Sequence, residues 1–426
     1  MSTLDDHPLR YQLSNELHAR PFPSLDAPCR AAFVAIKRPQ DAAARDREAD
    51  RAHLIALLDR FGADHPSPGA THFFGDLGKF KLKWENHTEF VTYTIFVSGL
   101  GDRPFATDVF EMFPEDWLSE APGLRVTSAL IRVEELTDED AIPDKIDDWF
   151  VPESVAVSSV LDDTAIISGD FRIDTAGHMR FAVFVRPETG SRRVGRIVQR
   201  LCEIETYKSM SMLGLARVRQ IGPQMSGLDQ RMTALTQEMT GEISSPETTL
   251  RALLAISSEL ENLLARNSFR FGATGAYEAL VNQRVQVMRE ERFRGRQTFR
   301  EFMTRRFDPA MRTVNSAERN LHQMADRATR AANLLRTRVD VERSAQNQKL
   351  LESMDRRADL QLRLQKTVEG FSVVAISYYA VNLAAYLAGP LAEPFGVSKT
   401  LMTGFLTPPV VLLVFLLVRR IRQSVE

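Results

Sequence analysis

Two uncharged stretches near the C-terminus constrain this chain more than any other feature. Phe371 to Ala392 (FSVVAISYYAVNLAAYLAGPLA) runs for 22 residues without a formal charge, and Thr400 to Val418 runs for 19. About 20 apolar residues in a helix, rising 1.5 Å each, cross the roughly 30 Å hydrocarbon core of a bilayer. The connection holds Gly389, Pro390, Pro394 and Gly396, which stop helices, and Glu393 and Lys399, which favour water. An antiparallel hairpin of two transmembrane helices is therefore expected. Arg356, Arg357, Arg363 and Lys366 precede the first span and Arg419, Arg420 and Arg422 follow the second, while the loop offers only Lys399. The positive-inside bias then puts both chain ends in the cytoplasm. Pro408 and Pro409 either kink the second span or mark its start.

The chain opens on MSTLDDHPLRYQLSNELHARPF, with acids among its first six residues and no apolar run, so neither a signal peptide nor export of the large domain is expected. Cys29 and Cys202 are isolated and lack metal-knuckle spacing, which suits a reducing compartment. A membrane bordering that reducing, cytosolic compartment is the expected location. The formal net charge of -2 hides an acidic front and a basic rear. Residues 134–148 carry eight acids against one Lys, and residues 262–366 carry 22 Lys and Arg against 12 acids.

Residues 1–190 read as a mixed α/β, or α+β, cytoplasmic domain. Apolar runs of strand length lie at Ala31–Ile36, Phe90–Val97, Leu130–Val133, Val155–Leu161, Ala165–Phe171 and Met179–Val185. LKWENHTEFVTYTIFV is expected to be a hairpin turning near Glu85, Asn86 and His87, and a second hairpin is expected around Asp174–His178. DAAARDREADRAHLIALLDRF has helical periodicity with Ala49, Ala52, Leu57 and Leu58 as its buried side.

Residues 191–309 read as a helical domain with breakers at Pro223, Pro246 and Pro309. Ile221, Met225, Leu228, Met232, Leu235 and Met239 form one apolar stripe that requires a partner helix. A second dry face is expected from Leu250, Leu253, Leu254, Leu260, Leu263 and Leu264. Residues 310–369 read as a long stalk, a coiled-coil-like helix of about 80 Å. Its narrow seam of Leu321, Met324, Ala328, Ala331, Leu335 and Val339 calls for helices side by side. The remaining boundaries are 370–391 and 400–418 for the spans, 392–399 for the external loop and 419–426 for a basic cytoplasmic tail.

No phosphate-binding loop, HExxH, nucleophile elbow or paired-cysteine motif occurs, so an enzyme is not expected. The densest polar cluster is Asn15, Glu16, His18 and Arg20 within SNELHARP. It suits either anion or metal binding or an arm fastened to the domain. His7, His65, His72, His87 and His178 are scattered. Asp138, Glu139, Asp140, Asp144, Asp147 and Asp148 read first as a solvated surface and second as hard-oxygen ligands for a divalent ion. The basic aromatic run Arg289–Arg306, with Phe293, Phe299 and Phe302, lacks a nucleic-acid recognition motif, and no nucleic-acid partner is expected. In the first span, Ser372, Ser377, Tyr379 and Asn382 are the pore-lining candidates. A helix–helix hydrogen bond, a pore-facing ring and interfacial exposure all satisfy the Asn382 amide.

HPLRYQLSNELHARPF and EGFSVVAISYYAVNLAAYL together resemble a family of uncharacterised, membrane-anchored bacterial proteins assigned only a domain of unknown function. A more distant architectural resemblance is to CorA-type divalent cation transporters, which join a cytoplasmic α/β domain to a long stalk, two spans and a basic tail. Tyr379-Ala380-Val381-Asn382 echoes their Tyr-Gly-Met-Asn signature, with Ala380 and Val381 departing from it. The CorA resemblance implies a homo-oligomer, a pentamer if followed fully, and a divalent cation such as magnesium or zinc as ligand, with no cofactor required. A membrane-tethered scaffold without transport is the alternative expectation.

Overall fold

The computed structural model describes residues 4–16, 22–39, 45–240, 246–392 and 398–425. The chain divides into two compact units, Met1–Glu242 with Arg251–Ala331 and Ile243–Leu250 with Ala332–Glu426.

The first unit is built on a nine-stranded sheet. Its strands are β1 (Cys29–Lys37), β2 (His72–Asp76), β3 (Lys81–Asn86), β4 (Val91–Ser98), β5 (Leu124–Glu135), β6 (Ala156–Val160), β7 (Ala165–Gly169), β8 (Met179–Val185) and β9 (Glu291–Arg292). They lie in the order β2-β3-β4-β1-β5-β8-β7-β6-β9, and the β5–β8 pair is parallel while its neighbours are antiparallel. All six expected strands are present. β2 was not expected, because its HFFGD is short, half-buried and lacks β-branched residues. The β3–β4 turn falls at His87–Phe90, closed by the His87 N–H donating to the Phe90 carbonyl at 2.9 Å, slightly later than the expected Glu85–His87. The Asp174–His178 turn is present, with Gly177 at φ 89°.

Alternation along each strand buries both faces. One face holds Val34, Leu82, Trp84, Tyr93 and Ile95 under α2 (Arg47–Arg60) and α3 (Glu115–Ser119), and farther along it lies under α4 (Ile142–Trp149). The other holds Phe33, Phe96, Ile131 and Phe181 under α5 (Ser191–Thr240), whose Val194, Ile197, Val198 and Leu201 join the same core. The buried side of α2 differs from the expected one. Ala52 is exposed and Ala49 half-buried, whereas Asp50, His53 and Leu54 are buried beside Leu57 and Leu58. Pattern reading excludes Asp and His from a core, but here each has a partner there.

Helices α5, α6 (Pro246–Gln286) and the start of α8 (Asp308–Ala392) share one core through Ile221, Leu228, Met232, Leu260, Leu263 and Leu321. The expected stripe on α5 is thus its packed side. Leu254 does not join the dry face of α6, being 54% exposed. Pro223 does not break α5, which continues through it for 50 residues. The carbonyl this proline leaves without a donor belongs to exposed Arg219, where water can satisfy it. Pro246 and Pro309 do sit at helix starts, the latter after α7 (Phe299–Arg306), whose N-terminus is closed by a reciprocal Thr298–Glu301 capping box.

In the second unit, α8 continues without a break to Ala392, so the stalk and the first apolar stretch are one helix of 85 residues in all. From 340 to 368 every residue is exposed. α9 (Lys399–Val425) runs through Pro408 and Pro409 and does not start at them. Among the described residues two helical stretches are long and apolar enough to cross a membrane, one ending at Gly389 within the 299–389 stretch and one from Lys399 to Ile421.

Candidate functional site

Where α5 crosses β3 and β4, the sheet presents charge instead of hydrocarbon. Lys83 and Glu85 on β3, 5% and 9% exposed, pair at 3.2 Å, and Thr92 and Thr94 on β4 are buried beside them. Lys83 Nζ donates to Gln199 Oε1 at 2.6 Å, Gln199 Nε2 donates to Glu203 Oε1 at 2.8 Å, and Glu203 accepts from Arg284 of α6. Beside this relay, Thr127 Oγ1 donates to Glu205 Oε1 at 2.8 Å, and Lys208 closes on the other oxygen at 2.8 Å. Buried charges persist only when paired and hydrogen-bonded, and this row meets that condition. The small cavity along it is lined by Lys83, Glu85, His87, Thr94, Gln199 and Cys202. Burial pushes the Cys202 thiol far up, and Cys29 likewise to about 12, so neither supplies a thiolate.

A second buried carboxylate, Glu89 in the β3–β4 turn, is held by Arg270 of α6 and by Lys37 Nζ at 3.7 Å. Burial pulls the Lys37 ammonium down, with the neighbouring Arg270 charge adding to the effect. The same turn is gripped from beneath by Arg45, which donates to Asn86 and to the carbonyls of His87, Thr88 and Phe90 while pairing with Asp50 at 2.6 Å. His53 donates from Nε2 to the Trp117 carbonyl at 2.9 Å, a carbonyl being able only to accept, so its bare Nδ1 accepts from the Tyr93 hydroxyl at 3.0 Å. These bonds tie the β3–β4 turn to α6 and α2 to α3.

The second unit contains a different polar feature. α9 returns beside α8, and Asn382, Ala385 and Tyr386 of α8 line an open cleft with Lys399, Thr400, Thr403, Gly404 and Thr407 of α9. Asn382 Nδ2 donates to the Tyr378 carbonyl at 3.0 Å, Thr403 Oγ1 to the Lys399 carbonyl at 2.9 Å and Thr407 Oγ1 to the Thr403 carbonyl at 2.8 Å. Each threonine hydroxyl directs its proton into its own helix and so contributes acceptor oxygen to the cleft, whereas Asn382 keeps both its Oδ1 acceptor and a second amide N–H. Of the other candidates in this stretch, Ser372 donates to the Val368 carbonyl at 2.9 Å, Tyr379 is 72% exposed, and Ser377 is buried. Asn382 thus shares a site with the threonines of α9, a set not anticipated because their spacing is also that of an ordinary helix face. The structure does not gather Ser372 or Tyr379 into that site.

In the SNELHARP cluster, the backbone of Asn15 and Glu16 ends α1 (Arg10–Glu16), but their side chains, and all of His18 and Arg20, lie outside the described residues. The arm that follows is fastened to α5: Leu25 N–H donates to the Ser191 carbonyl at 3.1 Å, and Ser24 Oγ to Ser191 Oγ at 2.7 Å. The acidic segment meets the basic one within the chain. Asp140 pairs with Arg294, Asp147 with Arg296 at 2.8 Å and Glu139 with Arg186 at 3.2 Å, while Phe293, Phe299 and Phe302 are buried. Among the described residues no group of three or more His, Cys, Asp or Glu is placed to hold a metal ion.

Residues 5–425 match the family described as protein of unknown function (DUF3422). No curated protein and no solved structure matches the chain.

Proposed function

As the chain belongs to the DUF3422 family, whose description assigns no activity, we propose from its own geometry that it is a multi-pass membrane protein. On this reading a C-terminal hairpin, the end of α8 with α9, tethers the α/β unit to the cytoplasmic face of a bacterial inner membrane, with both chain ends inside. The observation that carries it is exposure. Phe371, Tyr379, Leu387 and Phe405 are 71%, 72%, 71% and 82% exposed on the uncharged stretches 371–392 and 400–418, a surface water does not tolerate and lipid does. The tether presents the α/β unit to a cytosolic partner and carries out no catalytic step itself. Two measurements test the proposal. Expression in bacteria followed by an alkaline wash of the membranes should leave the chain in the pellet, and capture in mild detergent should recover a stoichiometric cytosolic partner. Release into the wash removes the anchor, and capture of the chain alone removes the scaffold role.

A transport reading on a CorA-like plan has one observation in its favour, the acceptor-lined cleft of Asn382, Thr403 and Thr407 within an apolar hairpin. Oxygen acceptors suit magnesium or another hard cation, although the Lys399 ammonium at the same cleft opposes one. Flux of magnesium, zinc and nickel into liposomes separates the readings: wild-type flux abolished by Asn382→Ala supports transport, and equal leak in both leaves the tether.

A further inference from the structure

The face of α8 that is buried in the bundle does not end where the bundle does. At 100° per residue, Met311, Val314, Leu321, Met324, Ala325 and Ala328, all at most 6% exposed, fall within a sector of about 140°. Continued along the same helix, that sector next receives Leu350, Met354, Leu360, Leu364 and Val368, confined to about 120° of it. These five are 60%, 58%, 60%, 64% and 58% exposed. The 29 residues from 340 to 368 are all exposed, so the roughly 27 Å of helix from Leu350 to Val368 carries an apolar stripe with nothing on it among the described residues. An isolated helix of mixed composition does not hold itself together in water, and a two-turn apolar repeat is the pattern by which helices pair.

We infer that this stripe packs against the same stripe of a second copy of the chain, parallel and in register. Three observations select that occupant. The stripe prolongs a face that already buries itself against helices. The segment is close to neutral, with six bases (Arg343, Lys349, Arg356, Arg357, Arg363, Lys366) against five acids (Asp340, Glu342, Glu352, Asp355, Asp359), which suits a self-complementary surface better than a strongly charged partner. The stalk also runs unbroken into the apolar stretch after Gly370, so hairpins held in one bilayer hold neighbouring stalks the same way up. This third argument rests on the membrane reading above, and the first two do not. Glu342, Arg343 and Gln346 occupy the sector ahead of the stripe, and Ser353, Arg357 and Gln361 interrupt it; polar residues at such positions fix register at a cost in stability.

The test is disulfide trapping in native membranes with a copper–phenanthroline oxidant. Cys29 and Cys202 are buried and remain as they are. Leu350→Cys and Leu364→Cys should each give a band of twice the 48.1 kDa chain, whereas Leu362→Cys, equally apolar and 54% exposed but about 140° from the centre of the stripe, should give several-fold less. Equal trapping at 362 and 364, or none at 350 and 364, overturns the inference. The same samples are washed at alkaline pH. Chain retained in membranes without trapping refutes the stalk pairing alone, and chain washed free yet trapped at 350 and 364 refutes the anchor alone.

Discussion

Arg270 on α6 and Glu89 in the β3–β4 turn, 181 residues apart in sequence, form an ion pair in which the carboxylate is 1% exposed. The pair ties the helices to one end of the sheet. Arg270→Ala leaves the buried carboxylate with Lys37, 3.7 Å away, and the Tyr277 hydroxyl, and removing the charged partner of such a pair costs about 3 kcal/mol. Denaturant unfolding of the detergent-solubilised chain should show that loss, and a change under about 1 kcal/mol would mean water already reaches Glu89.

Gly195 on α5 allows the N-terminal arm to lie against the helix, since a Cβ there would stand 1.7 Å from the Pro23 carbonyl oxygen. Gly195→Ala should therefore cost about 1–3 kcal/mol and raise protease sensitivity in the arm. Gly227→Ala in the same helix meets nothing within 4 Å and should stabilise by about 0.5–1 kcal/mol. Similar effects at both positions would contradict the close approach.

Burial lowers the affinity of His53 and of His178 for a proton, the nearby Arg125 charge adding to the effect at His178. The unfolded chain then binds protons more readily than the folded one. Stability from these two residues is fully present above about pH 6.5, the ordinary imidazole value, and is lost progressively as pH falls from there towards the lowered folded values. The thermal midpoint should drop between pH 7.5 and 5.5, and His53→Gln should flatten part of the slope. A midpoint that rises on acidification would contradict this sign.

Leu383, 66% exposed on the last part of α8, should face lipid. Leu383→Arg should then weaken insertion by about 3 kcal/mol and lower the alkaline-resistant membrane fraction. Unchanged retention would place Leu383 in a water-filled or protein-lined setting.

Arg357 lies near the middle of the stalk stripe, where a parallel copy would bring its own Arg357 opposite. Arg357→Leu should raise the trapped fraction at Leu364→Cys several-fold. A fall in trapping would mean that this guanidinium takes part in pairing.

Much of this fold could be read from residue patterns, and what could not has identifiable causes. Strands such as Met179–Val185 carry dense β-branched and aromatic residues, and the helical stripe from Ile221 to Met239 repeats cleanly. Asp50 and His53 were unreadable as core because a pattern cannot show that Arg45 and Tyr93 await them. The β6–β7 turn escaped for another reason. Leu161, Asp162 and Asp163 are all left-handed, with φ of 54°, 59° and 59°, and no Gly or Asn announces it. Tertiary contacts impose the shape, through Ser159 Oγ donating to Asp163 Oδ1 at 2.8 Å and Arg186 Nε donating to the Asp163 carbonyl at 2.8 Å. The charged row beneath α5 was hidden similarly, since Lys83 and Glu85 alternate along β3 as residues of a solvated face would. Asn382 stood out as an amide within an expected span, but Thr403 and Thr407 did not, because their spacing is also that of an ordinary helix face.

The two-residue strand β9 has a consequence for biosynthesis. It covers the outer edge of β6 through Ser158–Arg292 and Ser159–Glu291, yet it is translated about 130 residues after that edge. At 5–20 residues per second, a ribosome leaves the β6 backbone unpaired for roughly ten seconds. Until then that part of the edge is open to strand-on-strand pairing with another nascent chain.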